Sequence, residues 1–146
     1  MGPDEYNDKE TNALASFFGE IEHLKTLETD LCNFLSKNGE DSTKYDTDQK
    51  IEFELRISLL FSFFHICIEH FERSKFKDAI KKNHSRTESF LKGLNEEDVA
   101  LLKKYRNKTF HENVDLEADV RVKKQLDVKT KFEHYHELVK ELLSLS

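Results

Sequence analysis

The chain has 146 residues and a net charge of −6, and 36% of its residues are charged against 37% hydrophobic. This length fits a single domain with a buried core, and twelve Phe residues argue against an intrinsically disordered chain. Because the chain contains one Pro and only four Gly, few residues interrupt a helix, and the composition favours long helices.

The chain lacks the sequence features of membrane and secreted proteins. Its longest apolar run, residues 57–68, contains Ser and His and is too short to span a bilayer. No basic segment followed by an apolar one stands at the start, as a signal peptide would require. Cys32 and Cys67 form no CxxC motif and have apolar neighbours, which is typical of reduced, buried thiols. We therefore expect a cytoplasmic protein with no membrane partner.

The first helix is predicted over residues 11–36, after a disordered tail of residues 1–10. Its apolar residues recur at the i, i+3, i+4 spacing of an amphipathic helix. They are Leu14, Phe17, Phe18, Ile21, Leu24, Leu31, Phe34 and Leu35. The polar residues 37–48 follow as a loop, in which Gly39 is suited to end the helix.

Residues 49–76 carry two conflicting patterns. Between Ile51 and Leu59, apolar residues alternate with others as in a β-strand. The apolar run then continues without a break through Ile66, and no second strand is predicted with which this one could pair. We therefore interpret residues 49–76 as one long helix that is buried on most sides.

The connection after this helix, residues 81–95, is predicted to be short and helical or irregular, with a break near Gly93. Asn95 is suited to cap a following helix, with Asp98 at the third helical position and acidic residues near the positive end of the helix dipole. The third main helix is therefore expected to begin at Glu96.

The third helix is predicted to extend to about Arg106 or His111. Residues 112–119 then form a loop, and the last helix covers about residues 122–144. Together these elements predict an all-α fold, an up-and-down bundle of four main helices plus a short connecting helix, in one domain of residues 11–146.

Charge is distributed unevenly along the chain. Residues 1–54 hold fourteen acidic and five basic residues, a net charge of −9, so that residues 55–146 carry +3 of the total of −6. Residues 74–86 and 103–108 are locally basic. Such asymmetry can focus a positive electrostatic field on one face of the protein. Alternatively, each basic cluster is ordinary solvated helix surface.

The common enzyme and cofactor motifs do not occur in the sequence. Several residues of metal-binding type lie on two predicted helices: His65, Cys67, Glu69 and His70 on the central one, His134 and His136 on the last. No HExxH motif organises them, and His136 alone among these six residues completes an ExxH motif, with Glu133. We therefore interpret them as polar positions on packed helices. Neither a GxSxG nucleophile motif nor a glycine-rich phosphate loop is present. We expect no metal and no cofactor.

The segment YRNKTFHEN, which begins at residue 105, combines residue types that can process a phosphodiester. Arg106 offers a planar set of donors that matches phosphate oxygens, and Asn107 adds neutral hydrogen bonds. His111 titrates near neutrality, so it can accept a proton from a 2′-hydroxyl or donate one to a leaving 5′-oxygen. RNA supplies its own nucleophile, so no metal is required. Alternatively, Arg106 is a favourable charge at the end of a helix, with His111 helping to cap it.

Arg106 and Asn107, followed after three residues by His111, resemble the R-x4-6-H motif of the HEPN superfamily. Many HEPN domains are metal-independent ribonucleases of toxin–antitoxin, CRISPR-associated and phage-defence systems, and a polar residue after the Arg is typical of them. The resemblance covers the whole chain in architecture and six residues in motif. In one toxin subgroup an antitoxin modifies a Tyr two residues after the His. Asn113 stands there in this chain, so we do not expect that form of control.

The resemblance implies a role for each of five residues. Arg106 would bind and stabilise the scissile phosphate, His111 would act as general acid or base, and Asn107 would orient or assist. Lys104 and Lys108 would hold the RNA. Family sites are usually composite across a two-fold homodimer interface, and the expected product is a 2′,3′-cyclic phosphate. The implied partners are RNA, a second copy of the chain, and an antitoxin or other defence-system protein.

Two alternatives are a non-catalytic, dimeric binding module or adaptor with the HEPN fold, and an unrelated bundle with Arg106 and His111 on its surface. A nuclease requires both side chains to converge. Residues five apart on a regular helix lie about 140° apart, so convergence needs a helix end or a bend. Some members of the family also carry a further charged residue on an earlier helix, a position that Arg56 or Glu54 could fill in this chain.

Overall fold

The structure, a computed structural model, describes residues 8–73, 77–110 and 129–145. These residues form six α-helices and one 3₁₀ turn, with no β-strand among them. The elements are α1 (Asp8–Asn38), the 3₁₀ turn (Ser42–Lys44), α2 (Thr47–Arg73), α3 (Lys77–Asn83), α4 (Ser85–Lys92), α5 (Glu96–Phe110) and α6 (Lys129–Leu145). The predicted all-α bundle with four long helices is confirmed, whereas the connection between α2 and α5 contains two short helices instead of one.

Helix α2 packs against both α1 and α5 and contributes much of the core. The segment with strand-like alternation is helical, as predicted, and its first apolar residues, Ile51 and Leu55, are 60% and 57% exposed. Phe53, between these two residues, is half-buried against the core, and from Ile57 onward the core-facing residues, such as Leu60 and Phe61, are almost completely enclosed. Neither α2 nor any other helix in the described ranges has an apolar stretch long enough to cross a membrane.

The turn from α1 to α2 is built from residues with specific backbone roles. Gly39 has a φ of 88°, a left-handed conformation that ends α1, and its N–H donates to the Leu35 carbonyl oxygen over 2.8 Å. Asp46 and Gln49 form a reciprocal cap, because each side chain accepts the backbone N–H of the other, over 2.8 and 2.9 Å. This cap starts α2 at Thr47, two residues before the predicted start.

Helix α5 begins as the sequence predicts. Gly93 forms the turn that ends α4, and the Asn95 side chain accepts the backbone N–H of Glu97 over 2.8 Å. Asp98 uses its carboxylate differently from a capping residue, because it accepts the Tyr135 hydroxyl over 3.1 Å. The start of α5 is therefore bound to α6.

Aromatic rings connect three helices in the core. The Phe61 ring of α2 lies 6.2 Å from Tyr105 of α5 and 5.8 Å from Tyr135 of α6, both edge to face. Phe132 of α6 lies 6.1 Å from the same ring. Such pairs add directional contacts to the burial of apolar surface, and they fix which face of α5 turns outward.

Candidate functional site

Arg106 is held at the junction of α5 and α2. Its neighbours Leu102 and Tyr105 are buried, and they set the rotation of α5 about its axis. The Arg106 Nη1 atom lies 2.5 Å from Oε2 of Glu69 on α2. The Arg106 side chain is 31% exposed, so its charge lies at the edge of the bundle, within reach of solvent.

Glu69 binds two guanidinium groups at once. Its second oxygen, Oε1, lies 3.2 Å from Nη1 of Arg73, one helical turn further along α2. One carboxylate thus opposes two cations, which leaves a net positive charge. Lys103, one turn before Arg106 on α5, is exposed and adds to it. The surface around Arg106 is therefore locally basic, although the whole chain is acidic.

His65 lies one turn before Glu69 on α2 and is 4% exposed. Its Nδ1 atom is 3.8 Å from Oε2 of Glu69, too far for a hydrogen bond, and finds no hydrogen-bond partner within the described part of the chain. Burial lowers the pKa of His65 below its ordinary value of 6.5. The carboxylate of Glu69 opposes this shift, while Arg106 and Lys103 lower the pKa further. The folded protein therefore favours the neutral form of this imidazole.

The residues predicted from the motif fall into two groups. Arg106 is half-buried, and Lys104 and Asn107 are exposed on the same helix. Lys108 belongs to α5, which ends at Phe110. His111 and the predicted loop of residues 112–119 lie outside the described residues, so the convergence of Arg106 and His111 stays a prediction.

The charged residue that supports Arg106 is not one of the two predicted candidates. Arg56 pairs with Asp30 of α1 at 3.1 Å, and both Arg56 and Glu54 lie near the start of α2. Glu69 is thirteen or more residues further along α2, about 20 Å at the rise of an α-helix. In the sequence, Glu69 is marked only by its spacing of four residues from His65, a pair that is more typical of metal ligands than of a support for an arginine.

Three of the residues of metal-binding type have roles in helix packing. His70 Nδ1 lies 2.8 Å from Glu20 of α1, and His134 Nε2 lies 2.8 Å from Asp98 of α5. Cys67 is fully buried, and burial raises the pKa of its thiol to about 12. His136 instead contacts Glu28 of α1, at 2.7 Å.

Cys32 differs from the sequence prediction. Both cysteines carry free thiols, but Cys32 is exposed while Cys67 is buried as predicted. The apolar neighbours Leu31 and Leu35 face the core, and Cys32 lies on the adjoining side of α1. Partial burial of its sulfur and a hydrogen bond to Glu28 raise the pKa of this thiol to about 11.

No family model matches the chain. Comparison with curated proteins and with solved structures yields no significant match either. The function of the chain must therefore be inferred from its own residues and their geometry.

Proposed function

We propose that the chain is a metal-independent endoribonuclease of the HEPN type, acting as a toxin or phage-defence effector. The observation that carries the proposal is the placement of Arg106. Its guanidinium is fixed by Glu69 yet remains 31% exposed on a basic surface. A cation that is held in position and still reaches solvent is suited to bind a phosphate with little loss of conformational entropy.

The proposed reaction uses the RNA itself as nucleophile. The 2′-oxygen attacks phosphorus, the bond to the 5′-oxygen breaks, and the products are a 2′,3′-cyclic phosphate and a free 5′-hydroxyl. The proton of the 2′-hydroxyl passes to a general base, and the leaving 5′-oxygen gains a proton from a general acid. His111 takes one of these roles, and Arg106 stabilises the charge that develops on the phosphate oxygens.

Glu69 acts in this proposal as a positioning residue. A guanidinium has five N–H donors, and the ion pair with Glu69 engages one nitrogen, Nη1. Holding one end of the planar group orients the rest of it. Asn107, Lys104 and Lys108 of the same helix would contact the phosphate or the flanking RNA.

A homodimer would complete the site. A single Arg106 with its neighbouring lysines gives limited positive charge, whereas two copies related by a two-fold axis would double it in one cleft. Two His111 residues would then supply both the general base and the general acid. A homodimer thus accounts for local RNA binding by a chain with a net charge of −6.

A second candidate is a non-catalytic dimeric binding module, which one contact favours. The 2.5 Å ion pair with Glu69 partly neutralises the charge of Arg106 within the protein. A phosphate would have to compete with Glu69 for the guanidinium. An Arg that only stabilises the packing of α2 on α5 would show the same pair.

Cleavage of purified RNA in EDTA tests the proposal. The wild type should release fragments that end in a 2′,3′-cyclic phosphate. Arg106→Lys keeps the charge but loses the planar fork, and His111→Ala removes the proton-transfer group. Each substitution should lower the cleavage rate by about 10²–10⁴-fold.

Arg86→Gln and His23→Ala are the matched controls, since both residues are exposed on other helices, α4 and α1. They should retain the wild-type rate. Circular dichroism in the same buffer shows that every variant is folded. Absence of cleavage by a folded, dimeric wild type that still binds RNA would establish the binding module instead.

A further inference from the structure

A cluster of three different side chains joins α1 to α6, separate from the contacts of Arg106. The two oxygens of Glu28 each lie 2.7 Å from Nε2 of His136. The Cys32 thiol donates to Oε1 of Glu28 over 3.0 Å. One oxygen, one sulfur and one nitrogen thus lie within 4.8 Å of one another.

The types and distances of these atoms match a zinc site with three protein ligands. Zinc binds thiolate sulfur at about 2.3 Å, imidazole nitrogen at about 2.0–2.1 Å and carboxylate oxygen at about 2.0–2.2 Å. In a tetrahedral site, ligand atoms at these bond lengths lie about 3.3–3.6 Å apart. The contacts of 2.7 and 3.0 Å would therefore need to lengthen by about half an ångström. The sulfur and the ring nitrogen, which lie within 4.8 Å of each other, would need to settle at about 3.6 Å.

The packing holds the three ligands in place before any ion binds. Glu28 and Cys32 are four residues apart on α1, so their side chains emerge on the same face. The His136 ring is stacked on Phe132 at 5.5 Å and is 7% exposed, which restricts its orientation. Glu28 is 8% exposed and Cys32 is exposed. Packing thus holds the buried side of the cluster, Glu28 and His136, while Cys32 lies at its exposed side with its sulfur partly buried.

We propose that Glu28, Cys32 and His136 bind a divalent zinc-type ion, with a water molecule at the fourth position. Binding replaces the thiol proton of Cys32, which is released to solvent, with a metal–sulfur bond. Nε2 of His136 donates its proton to the Glu28 carboxylate in the metal-free protein, so this proton must leave that nitrogen for solvent, and the neutral ring then carries a proton on Nδ1. The direct contact between Glu28 and His136 is replaced by two bonds to one centre. The ion therefore cross-links α1 to α6. The site goes beyond the proposed ribonuclease activity, because its residues are not those assigned to RNA cleavage.

Cobalt spectroscopy tests the site without reference to activity. The reduced protein, freed of metal with EDTA and then of EDTA, is titrated with Co²⁺ under an inert gas. One equivalent should produce the intense visible bands of a tetrahedral Co²⁺ site and a near-ultraviolet thiolate-to-cobalt charge-transfer band. Zn²⁺ should then displace Co²⁺ and bleach both bands, and it should raise the thermal midpoint of the wild type.

The chain offers a matched control for each of two ligands. Cys32→Ser should abolish the charge-transfer band, and both Cys32→Ser and His136→Asn should weaken Zn²⁺ binding by more than about 100-fold. Cys67→Ser removes the other thiol, and His134→Asn removes the exposed neighbouring imidazole, so both should bind Co²⁺ as the wild type does. A wild type with no charge-transfer band, or a band that survives in Cys32→Ser, would overturn the proposal. The three side chains would then be a hydrogen-bonded packing contact only.

Discussion

At the scale of single residues, His65 shows how burial sets the charge state of a group. It is 4% exposed, it faces Glu69 from its own helix, and it faces Arg106 and Lys103 from α5. The two cations of α5 and the loss of water both disfavour a second proton on the imidazole, and a carboxylate at 3.8 Å does not compensate for them. The folded protein therefore stabilises the neutral form of His65.

This burial predicts a pH dependence of stability. Because the pKa of His65 is lowered in the folded state, the unfolded chain binds the proton more tightly, and the free energy of unfolding falls as the pH drops below about 6.5. One proton accounts for a slope of at most about 1.4 kcal/mol per pH unit. In urea titrations between pH 5 and pH 7, about the range in which an imidazole titrates, His65→Gln should have a shallower slope than the wild type.

The matched control for this prediction is His23→Gln, since His23 is exposed on α1. Its slope should equal that of the wild type. Equal slopes for His65→Gln and the wild type would contradict the assigned charge state of the buried imidazole.

Residue type and local spacing mark Arg106 and Asn107 as candidate site residues, because a helix places its own side chains predictably. They do not indicate the partner of Arg106. Glu69 is 37 residues away from Arg106, and its position depends on how α2 and α5 are aligned against each other. That alignment is set by buried contacts such as Phe61 with Tyr105, which no local pattern encodes.

At the scale of secondary-structure elements, one glycine within α1 and one directly after it have opposite effects on stability. Gly19 lies within the helix, and an added Cβ would meet nothing within 4 Å. Gly39 ends the helix with a φ of 88°, where an L-residue with a Cβ is strained. The first glycine costs backbone entropy without a structural need, and the second is required by its backbone conformation.

Alanine substitutions at these two positions should therefore shift stability in opposite directions. Gly19→Ala should raise the free energy of unfolding by about 0.5–1 kcal/mol, and Gly39→Ala should lower it by about 1 kcal/mol. Both values can be measured by urea denaturation of the two variants and the wild type in parallel. A loss of stability in Gly19→Ala would mean that this face of α1 is covered in solution.

The bounds of the helices were predictable where a local signal marks them. Asn95 and Gly93 gave the start of α5 and the turn before it, and both are confirmed. The reciprocal cap of Asp46 and Gln49 carries the same kind of signal, yet the polar segment around it was predicted as loop and the start of α2 was placed at residue 49 instead of Thr47. Two short helices in the connection were likewise harder to predict than one, because they are stabilised mainly by packing.

At the scale of the whole molecule, the pattern of burial along α2 is that of a helix and not of a strand. Leu55 and Leu60 are both leucines on α2, but the first is 57% exposed and the second is fully buried. A strand that ran through residues 51–59 would have hidden its alternating residues together. The structure instead leaves Ile51 and Leu55 in solvent, packs Phe53 between them against the core, and encloses the later turns of α2 between α1 and α5.

This difference in burial predicts that replacing each leucine with alanine lowers the free energy of unfolding by a different amount. Leu60→Ala removes methyl groups from the core and should lower the free energy of unfolding by about 2–5 kcal/mol. Leu55→Ala should change it by less than about 0.5 kcal/mol. Urea unfolding measured by circular dichroism gives both values, provided that the dependence on urea concentration is unchanged. A large loss in Leu55→Ala would show that its face is buried in an oligomer.

The fold class was predictable from the sequence because Gly and Pro are scarce and the apolar residues have helical spacing. The clusters of side chains from different helices were not predictable from the sequence. Glu28 and Cys32 of α1 could be paired by their spacing of four, but His136 reaches them only through the packing of α6 on α1. Residues assembled across distant helices are found by structure, whereas residues within one helix are found by pattern.

The contact between Glu28 and His136 also has a consequence for synthesis on the ribosome. The two residues are 108 positions apart in the chain. At about 5–20 residues per second, ribosomes take about 5–20 s to add His136 after Glu28. During that interval the carboxylate of Glu28 lacks its partner, and the face of α1 that will receive α6 stays uncovered. The nascent chain therefore cannot complete its core until α6 has been made.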